Sequence, residues 1–384
     1  MKRVSDTTIS QQPIAKRCKR ETAHLQLSPE LTVTMLGSNN CLHVWYLWIR
    51  TCRRNHDLAL TRPARAHLMY PIDSHVATAI YSDKLERRHI SQMRGTWVTP
   101  PDMFLIAEAF RSLTYLDLTT KWDPTAISLM SNLTQLSLTS YVPGPRLDLR
   151  WLGSLTRLRR LKLAYLPVDT ILNAITRITS LEHLELEYVR WDPSIWSSLT
   201  GLTTLSLAQI EYPDDQKSIT SLNCLENLVE LTLDIGVNDS NISTLPDFAC
   251  FPNLQFLELN NFDVLSSLAG LDQCIDLRTL RMYNCHAIIT DFHLLSTLPR
   301  LTKIELREVG HLQNFPHLVF PPAIRNILII GMDIYDLAIF ADLPCLESLV
   351  LLLPTSPYHM SQPPTVWASP RLTDPEIVRL PFFS

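Results

Sequence analysis

The chain has 384 residues with 34 basic and 38 acidic side chains, which leaves a net charge of −4. This near balance disfavours a general attraction to nucleic acid or to an anionic membrane, so we expect neither as a partner. The eight cysteines are scattered rather than arranged in C-x-x-C pairs, which favours a reducing compartment. The sequence contains no phosphate-binding glycine loop, zinc-ligand spacing or nucleophile motif, and we therefore expect no cofactor, no metal and no enzymatic activity.

The first 24 residues are polar and basic, a composition typical of a disordered tail. Their basic cluster resembles a nuclear-import signal and consists of Lys16, Arg17, Lys19 and Arg20. The alternative is a solvated tail with no such role. Because no apolar run is long enough for a signal peptide or a membrane span, we expect a cytoplasmic and/or nuclear protein. N-x-[S/T] triplets at Asn132, Asn238 and Asn241 keep open the alternative of a secreted, glycosylated protein.

Residues 25–70 open with Leu27-Ser28-Pro29-Glu30-Leu31, continue through an apolar helical run and close with Cys52-Arg53-Arg54. This pattern resembles the F-box, which opens with L-P-x-E-[IL] and ends in V-C-[RK]-x-W. Val44 and Asn55 depart from it, since they replace the family's usual aspartate and tryptophan. The resemblance implies a small helical module that docks the linker subunit of a cullin-type ubiquitin ligase. The residues implied to make this contact are Leu27, Pro29, Glu30, Leu31, Leu36, Trp45, Leu47 and Cys52.

From residue 113 to residue 353 the motif L-x-x-L-x-L recurs eleven times at intervals of 20 to 26 residues. These intervals are typical of a leucine-rich repeat, which takes roughly 20 to 29 residues. We call the first apolar residue of each motif the anchor. The anchors are Leu113, Leu133, Leu158, Leu181, Leu202, Leu228, Leu254, Leu277, Leu301, Ile324 and Leu346.

Each repeat combines two apolar periods. Apolar residues lie three and six positions before most anchors, as Leu155 and Leu152 do before Leu158, which indicates a helix or helical turn. After the anchor they alternate with polar residues, which indicates a strand. One unit cannot bury its own leucines, so stacked units must share a core. We predict an α/β fold, a leucine-rich repeat solenoid (horseshoe) with a small helical F-box-like N-terminal module.

Two segments flank the repeats. Residues 71–112 are predicted to be a degenerate repeat or an N-terminal cap, and the Pro-rich residues 354–384 a C-terminal cap or tail. The last two repeats are apolar on both faces of their strands. We expect the C-terminal tail to fold back over them, with an exposed partner site as the alternative.

One repeat indicates its subtype. Cys285 stands eight positions after its anchor, and Ile289-Thr290-Asp291 follows. This unit resembles the cysteine-containing repeat found chiefly in F-box repeat proteins. Other repeats place an apolar residue where Cys285 stands, so the array lacks the asparagine ladder of extracellular repeats. We interpret Cys285 as a packing residue.

Side chains two, four and six positions after each anchor should point away from the core and form the concave face of the solenoid. The candidate binding residues on this face are Arg160, Lys162, His183, Glu185, Glu187, Phe256, Glu258, Arg281, Tyr283 and Lys303. Glu230, Asp234, Glu305 and Arg307 occupy equivalent positions. The alternating charges and the aromatic residues favour a protein-binding surface. The alternative is that the charges pair laterally and recognise nothing.

Together these features predict a substrate-recognition adaptor of a cullin-type ubiquitin ligase. Its N-terminal module would bind the linker subunit and through it the cullin, and its repeats would hold an unknown protein target. The alternative is an intracellular repeat scaffold with no ligase role.

Overall fold

The computed structural model describes the following residues: 64–67, 90–96, 104, 107–108, 111–120, 124–141, 147–167, 172–211, 218–236, 242, 245–262, 267–285, 291–309, 319–332, 334, 337–354, 369–372 and 375–380. The F-box-like contact residues between Leu27 and Cys52 lie outside the described residues. So do the four cations of the predicted import signal, between Lys16 and Arg20.

A single parallel sheet of fourteen strands runs the length of the described structure, and its strands are ordered as they occur in the sequence. The strands are β1 Ala64–His67, β2 Ile90–Thr96, β3 Tyr115–Thr120, β4 Gln135–Ser140, β5 Arg160–Ala164, β6 His183–Glu187, β7 Thr204–Ala208, β8 Glu230–Asp234, β9 Phe256–Asn260, β10 Thr279–Tyr283, β11 Lys303–Arg307, β12 Asn326–Ile330, β13 Ser348–Pro354 and β14 Glu376–Leu380. Each connection returns the chain to the same end of the sheet, which is the topology of a solenoid.

All eleven strands from β3 to β13 begin two residues after an anchor. The anchors are buried, and so are the residues three and five positions after each of them, such as Leu161 and Leu163 in β5. Successive strands pair residue for residue, so that Leu161 lies beside Leu136 and Leu184. The predicted leucine-rich repeat solenoid is therefore confirmed for residues 113–353.

The predicted helical parts of the repeats are short 3-10 helices. They span Thr125–Leu129, Arg150–Ser154, Leu172–Arg177, Pro193–Ser198, Thr220–Cys224, Phe248–Cys250, Leu271–Gln273, Phe292–Thr297 and Leu337–Phe340. The α-helical part of the predicted α/β class is therefore wrong for the described part of the array. The cause lies in the apolar spacing of three, which matches the three residues per turn of a 3-10 helix.

The backbone hydrogen bonds follow the same interval of three. The N–H of Leu155 donates to the carbonyl of Leu152 at 3.0 Å, and the N–H of Leu158 donates to that of Leu155 at 3.0 Å. These bonds keep Leu152, Leu155 and Leu158 on the same side of the chain, and all three are buried in the core before the strand begins.

The buried side chains form one continuous core from Ala107 to Leu372. Cys285 belongs to it with no exposed surface, and its thiol donates to the carbonyls of Leu259 and Tyr283 at 3.5 and 3.4 Å. This placement agrees with its interpretation as a packing residue.

Polar side chains at the position immediately before the anchor link successive repeats through hydrogen bonds to backbone carbonyls. Asn132, Asn227 and Asn253 donate to backbone carbonyls of the preceding repeat at 2.8, 2.9 and 3.2 Å. Ser180 occupies the same position and donates to the carbonyl of Thr156 at 3.0 Å. Such bonds supply partners for carbonyls at the turn between repeats, which would otherwise depend on water.

The ends of the sheet extend beyond the eleven clear repeats. Strand β1 lies within residues 25–70, the segment expected to be an F-box-like helical module, and pairs with β2 from residues 71–112. At the other end, β14 from the Pro-rich segment pairs with β13 from Val350 to Pro354. The sheet therefore includes parts of both flanking segments.

Candidate binding face

We call the solvent-facing side chains of strands β3–β14 the concave face. Because the strands pair in register, the side chains two, four and six positions after the anchors form three parallel rows across it. All ten predicted residues of this face lie in these rows. They form two clusters, on β5–β6 and on β9–β11, rather than one continuous surface.

The first cluster centres on Lys162 of β5. Its Nζ pairs with Glu185 and lies 3.2 Å from Oε2 of Glu187. Burial lowers the pKa of Lys162, but the hydrogen bonds and charges of the two carboxylates outweigh this effect and raise it above its usual value. His183 lies beside Arg160 in register, and its pKa is lowered by burial and by that guanidinium. In this cluster the carboxylates of Glu185 and Glu187 both pair with Lys162, and Arg160 lies exposed beside them.

The second cluster centres on Glu305 of β11, whose side chain is 9% exposed. Lys303 Nζ lies 2.7 Å from Oε1, and the Tyr283 hydroxyl donates to Oε2 at 2.7 Å. Arg281 Nε lies 3.5 Å from Oε1, and Arg307 Nη2 lies 3.9 Å from Oε2. Glu305 is therefore a buried anion shared by three cations and a phenol.

These contacts shift two acid groups in opposite directions. Burial raises the pKa of Glu305, but Lys303, Tyr283 and Arg281 outweigh it, so that the pKa lies below its ordinary value. Burial and the Glu305 carboxylate raise the pKa of Tyr283 to about 12. At neutral pH the pair is thus an ionised carboxylate and a neutral phenol donor.

Aromatic rings hold the two arginines of this cluster in place. The guanidinium carbon of Arg281 lies 5.2 Å from the ring centre of Phe256, and Nη1 lies 3.3 Å from Glu258. The guanidinium carbon of Arg307 lies 5.1 Å from the ring centre of Tyr283. These are cation–π distances, and they orient both cations across the face. The aromatic residues predicted as binding anchors are therefore already engaged by neighbouring arginines.

A strip with small side chains in its middle row separates the clusters. Strand β7 contributes Thr204, Ser206 and Ala208, and β8 contributes Thr232 between Glu230 and Asp234. Two strand spacings of about 4.8 Å give this strip a width close to 10 Å. The centre of the concave face therefore carries small side chains in its middle row, with charged side chains around them.

Beyond the second cluster the concave face becomes aliphatic. Leu328 and Ile330 of β12 stand in register with Val350 and Leu352 of β13, and all four are half-buried. Val378 of β14 lies beside Leu352 and is 38% exposed. The predicted apolar character of the last repeats on both strand faces is present in the structure.

Sequence reasoning missed a row of exposed tyrosines at the strand ends. The ring centres of Tyr141 and Tyr165 are 5.2 Å apart, and those of Tyr165 and Tyr188 are 4.4 Å apart and stacked. Tyr165 and Tyr188 have φ values of 55° and 50°, in the left-handed region. Their separations of 24 and 23 residues lie within the repeat interval of 20 to 26 residues, and this spacing was the available signal.

Among the described residues, no group of three or more His, Cys, Asp or Glu side chains is arranged to hold a metal ion. None of the helices in the described segments has the length and apolar character that a membrane span requires.

No protein-family model matches this sequence, and no curated protein sequence matches it. Solved structures do resemble it. An internalin of Listeria monocytogenes superposes with a TM-score of 0.55 and 18% identity, over 79% of this chain and 94% of the internalin chain. A chain of the Toll–Spatzle complex of Drosophila superposes with a TM-score of 0.60 and 16% identity, over 83% of this chain and 44% of that chain. At these identities the likeness concerns the fold alone, and by its fold this chain is a leucine-rich repeat solenoid.

Proposed function

We propose that this chain is a binding protein that holds a protein partner on its concave face and performs no chemistry itself. The observation that carries the proposal is the arrangement of that face, in which two ordered charged clusters border a strip whose middle row, Ser206 and Thr232, has small side chains. Side chains already fixed by ion pairs and ring contacts lose less conformational entropy when a partner binds. The charged side chains on the face are already paired with one another. A partner must therefore supply charged or hydrogen-bonding groups that replace or join these pairs, and this requirement favours specific binding.

Site-specific photocrosslinking tests this proposal. A photoreactive amino acid at Ser206 or Thr232 lies in the centre of the concave face, whereas one at Asn173 or Ser197 lies on the outer 3-10 helices. We expect a partner protein to crosslink from the two inner positions and not from the two outer ones. A partner that crosslinks equally from the outer positions, or only from them, would contradict the proposal.

We further propose that the chain acts inside the cell, in the cytoplasm and/or the nucleus, as a substrate-recognition adaptor of a cullin-type ubiquitin ligase. The support is the F-box-like sequence of residues 25–70 and the cysteine-containing repeat around Cys285. In this role the N-terminal module docks the linker subunit, and the repeats raise the effective concentration of the target near the ligase. Neither nucleic acid nor membrane is a partner in this proposal.

The adaptor role is tested on the full chain with purified linker subunit. We expect binding that is lost when Leu31→Asp and Trp45→Asp are combined, with the thermal unfolding of the repeats unchanged. If the wild-type chain does not bind the linker subunit, the adaptor role is wrong and the repeat scaffold remains. The matched control is Lys162→Ala, which alters the concave face and should leave linker binding intact.

A further inference from the structure

The aliphatic side chains at the C-terminal end of the concave face interrupt a mostly polar surface. This aliphatic patch consists of Leu328, Ile330, Val350, Leu352 and Val378, which are neighbours through the pairing of β12, β13 and β14. Contiguous exposed apolar surface usually marks an interaction site, because leaving it in water costs free energy.

The strand that borders this patch carries an excess of positive charge. Lys303, Glu305 and Arg307 of β11 lie beside Asn326, Leu328 and Ile330 of β12, respectively. In the cluster on β9–β11 the cations Arg281, Lys303 and Arg307 face two carboxylates, those of Glu258 and Glu305.

Arg307 is the least engaged of these cations. Its guanidinium lies 3.9 Å from the shared Glu305 carboxylate, compared with 2.7 Å for the Lys303 ammonium, and its side chain is 48% exposed. Tyr283 supports the guanidinium from one side. An oriented guanidinium beside Ile330 can bind a carboxylate through two parallel hydrogen bonds.

We infer that the aliphatic patch and Arg307 together bind an extended segment of a partner protein in which an acidic residue stands next to aliphatic residues. This inference rests on the proposed function, since it places the partner on the concave face. The aliphatic side chains cover the patch while the carboxylate meets Arg307. Glu376, which pairs with Val350 at the far edge, repels an acidic group there and orients the segment with its acid toward β11.

A random heptapeptide library displayed on phage and selected on the immobilised full chain tests this inference. We expect enriched peptides to combine Leu, Ile or Val with an adjacent Asp or Glu. Synthetic copies should lose at least tenfold in affinity with the double variant Leu328→Gln, Val350→Thr, and a similar amount with Arg307→Glu. A lysine placed at the acidic position should bind Arg307→Glu better than wild type. Arg177→Glu, at an exposed arginine of the outer 3-10 helix Leu172–Arg177, is the matched control and should change affinity less than twofold. Lys162→Ala reports separately on the other charged cluster.

Other outcomes overturn the inference without overturning the proposed function. Peptides that bind Arg307→Glu as well as wild type, or that depend on Lys162 instead, place the recognised segment elsewhere on the concave face. If no peptide is enriched, recognition of a short acidic and aliphatic segment is wrong. Photocrosslinking from Ser206 and Thr232 then still tests whether a partner protein binds the concave face. A dimer that dissociates in the Leu328→Gln, Val350→Thr variant identifies a second copy as the occupant. Arg307 is exposed, so its variant remains informative if the double variant does not fold.

Discussion

Replacing Glu305 with glutamine should destabilise the solenoid more than any removal of an exposed carboxylate, because Glu305 is the shared anion of the β9–β11 cluster. The Glu305→Gln side chain keeps its size and retains an acceptor for the Tyr283 hydroxyl. It loses the charge that compensates Lys303, Arg281 and Arg307.

The size of the effect follows from burial. A hydrogen bond to a charged group contributes about 1.5–3 kcal/mol, whereas an exposed ion pair contributes about 0–1 kcal/mol. Glu305 is 9% exposed, but the three cations are 31–48% exposed, so the interaction is partly screened. We expect a loss of about 1–2 kcal/mol in unfolding free energy near pH 7.

The dependence on pH gives a second check. The pKa of Glu305 is lowered in the folded protein. Its contribution to stability is therefore complete above the unfolded-state pKa of about 4.3 and is lost as the pH falls through the folded-state pKa. Urea unfolding near pH 7 and near pH 3 should show the difference between wild type and Glu305→Gln shrinking at the lower pH.

The matched control is Glu182→Gln, which removes the exposed ion pair between Arg159 and Glu182. We expect it to cost less than about 0.5 kcal/mol near pH 7. If Glu305→Gln costs no more than Glu182→Gln, or costs the same at both pH values, Glu305 does not stabilise the fold as a shared buried anion.

Three further predictions concern the repeats themselves. Gly331→Ala should cost about 1–2 kcal/mol in unfolding free energy, because Gly331 has a left-handed φ of 72°. Gly201→Ala is the control and should be nearly neutral, since the added Cβ meets only Leu181 O at 3.6 Å. Equal costs of the two variants in urea unfolding would contradict this. Leu257→Ala in the buried core should cost about 2–5 kcal/mol by the same measurement, and a loss below about 1 kcal/mol would argue against the packing described. Cys274 is buried and burial raises its pKa to about 12, so mass spectrometry should detect its alkylation near pH 8 only after unfolding; labelling at the rate of the unfolded chain would contradict its placement.

The repeat positions could be predicted from sequence because the strand alternation and the spacing of three both follow local physical rules. Leu158, Leu161 and Leu163 are apolar at the positions that face the core, and the neighbouring repeats have the same pattern. Unequal repeat lengths did not disturb this prediction, since the extra residues lie between the strands. The type of helix was missed because a spacing of three was interpreted broadly as helical.

The details of the concave face depended on contacts between strands. Sequence placed Lys162, Arg281 and Glu305 on the face, but their shared partners depend on side-chain reach across neighbouring strands. The tyrosine row was missed for a different reason. Tyr165 and Tyr188 have left-handed backbone. Sequence predicts this conformation at Asn284 or Gly331 but not at a tyrosine, because only glycine and asparagine adopt it readily.

The central claim is that a protein partner occupies the concave face. The most direct measurement is the affinity of the crosslinked partner for the variants Ser206→Arg and Thr232→Arg, compared with Asn173→Arg and Ser197→Arg on the outer surface. We predict at least a tenfold loss, equivalent to about 1.4 kcal/mol, for each inner variant and less than twofold for each outer one. Unchanged affinity for both inner variants, or an equal loss for the outer pair, would contradict the claim.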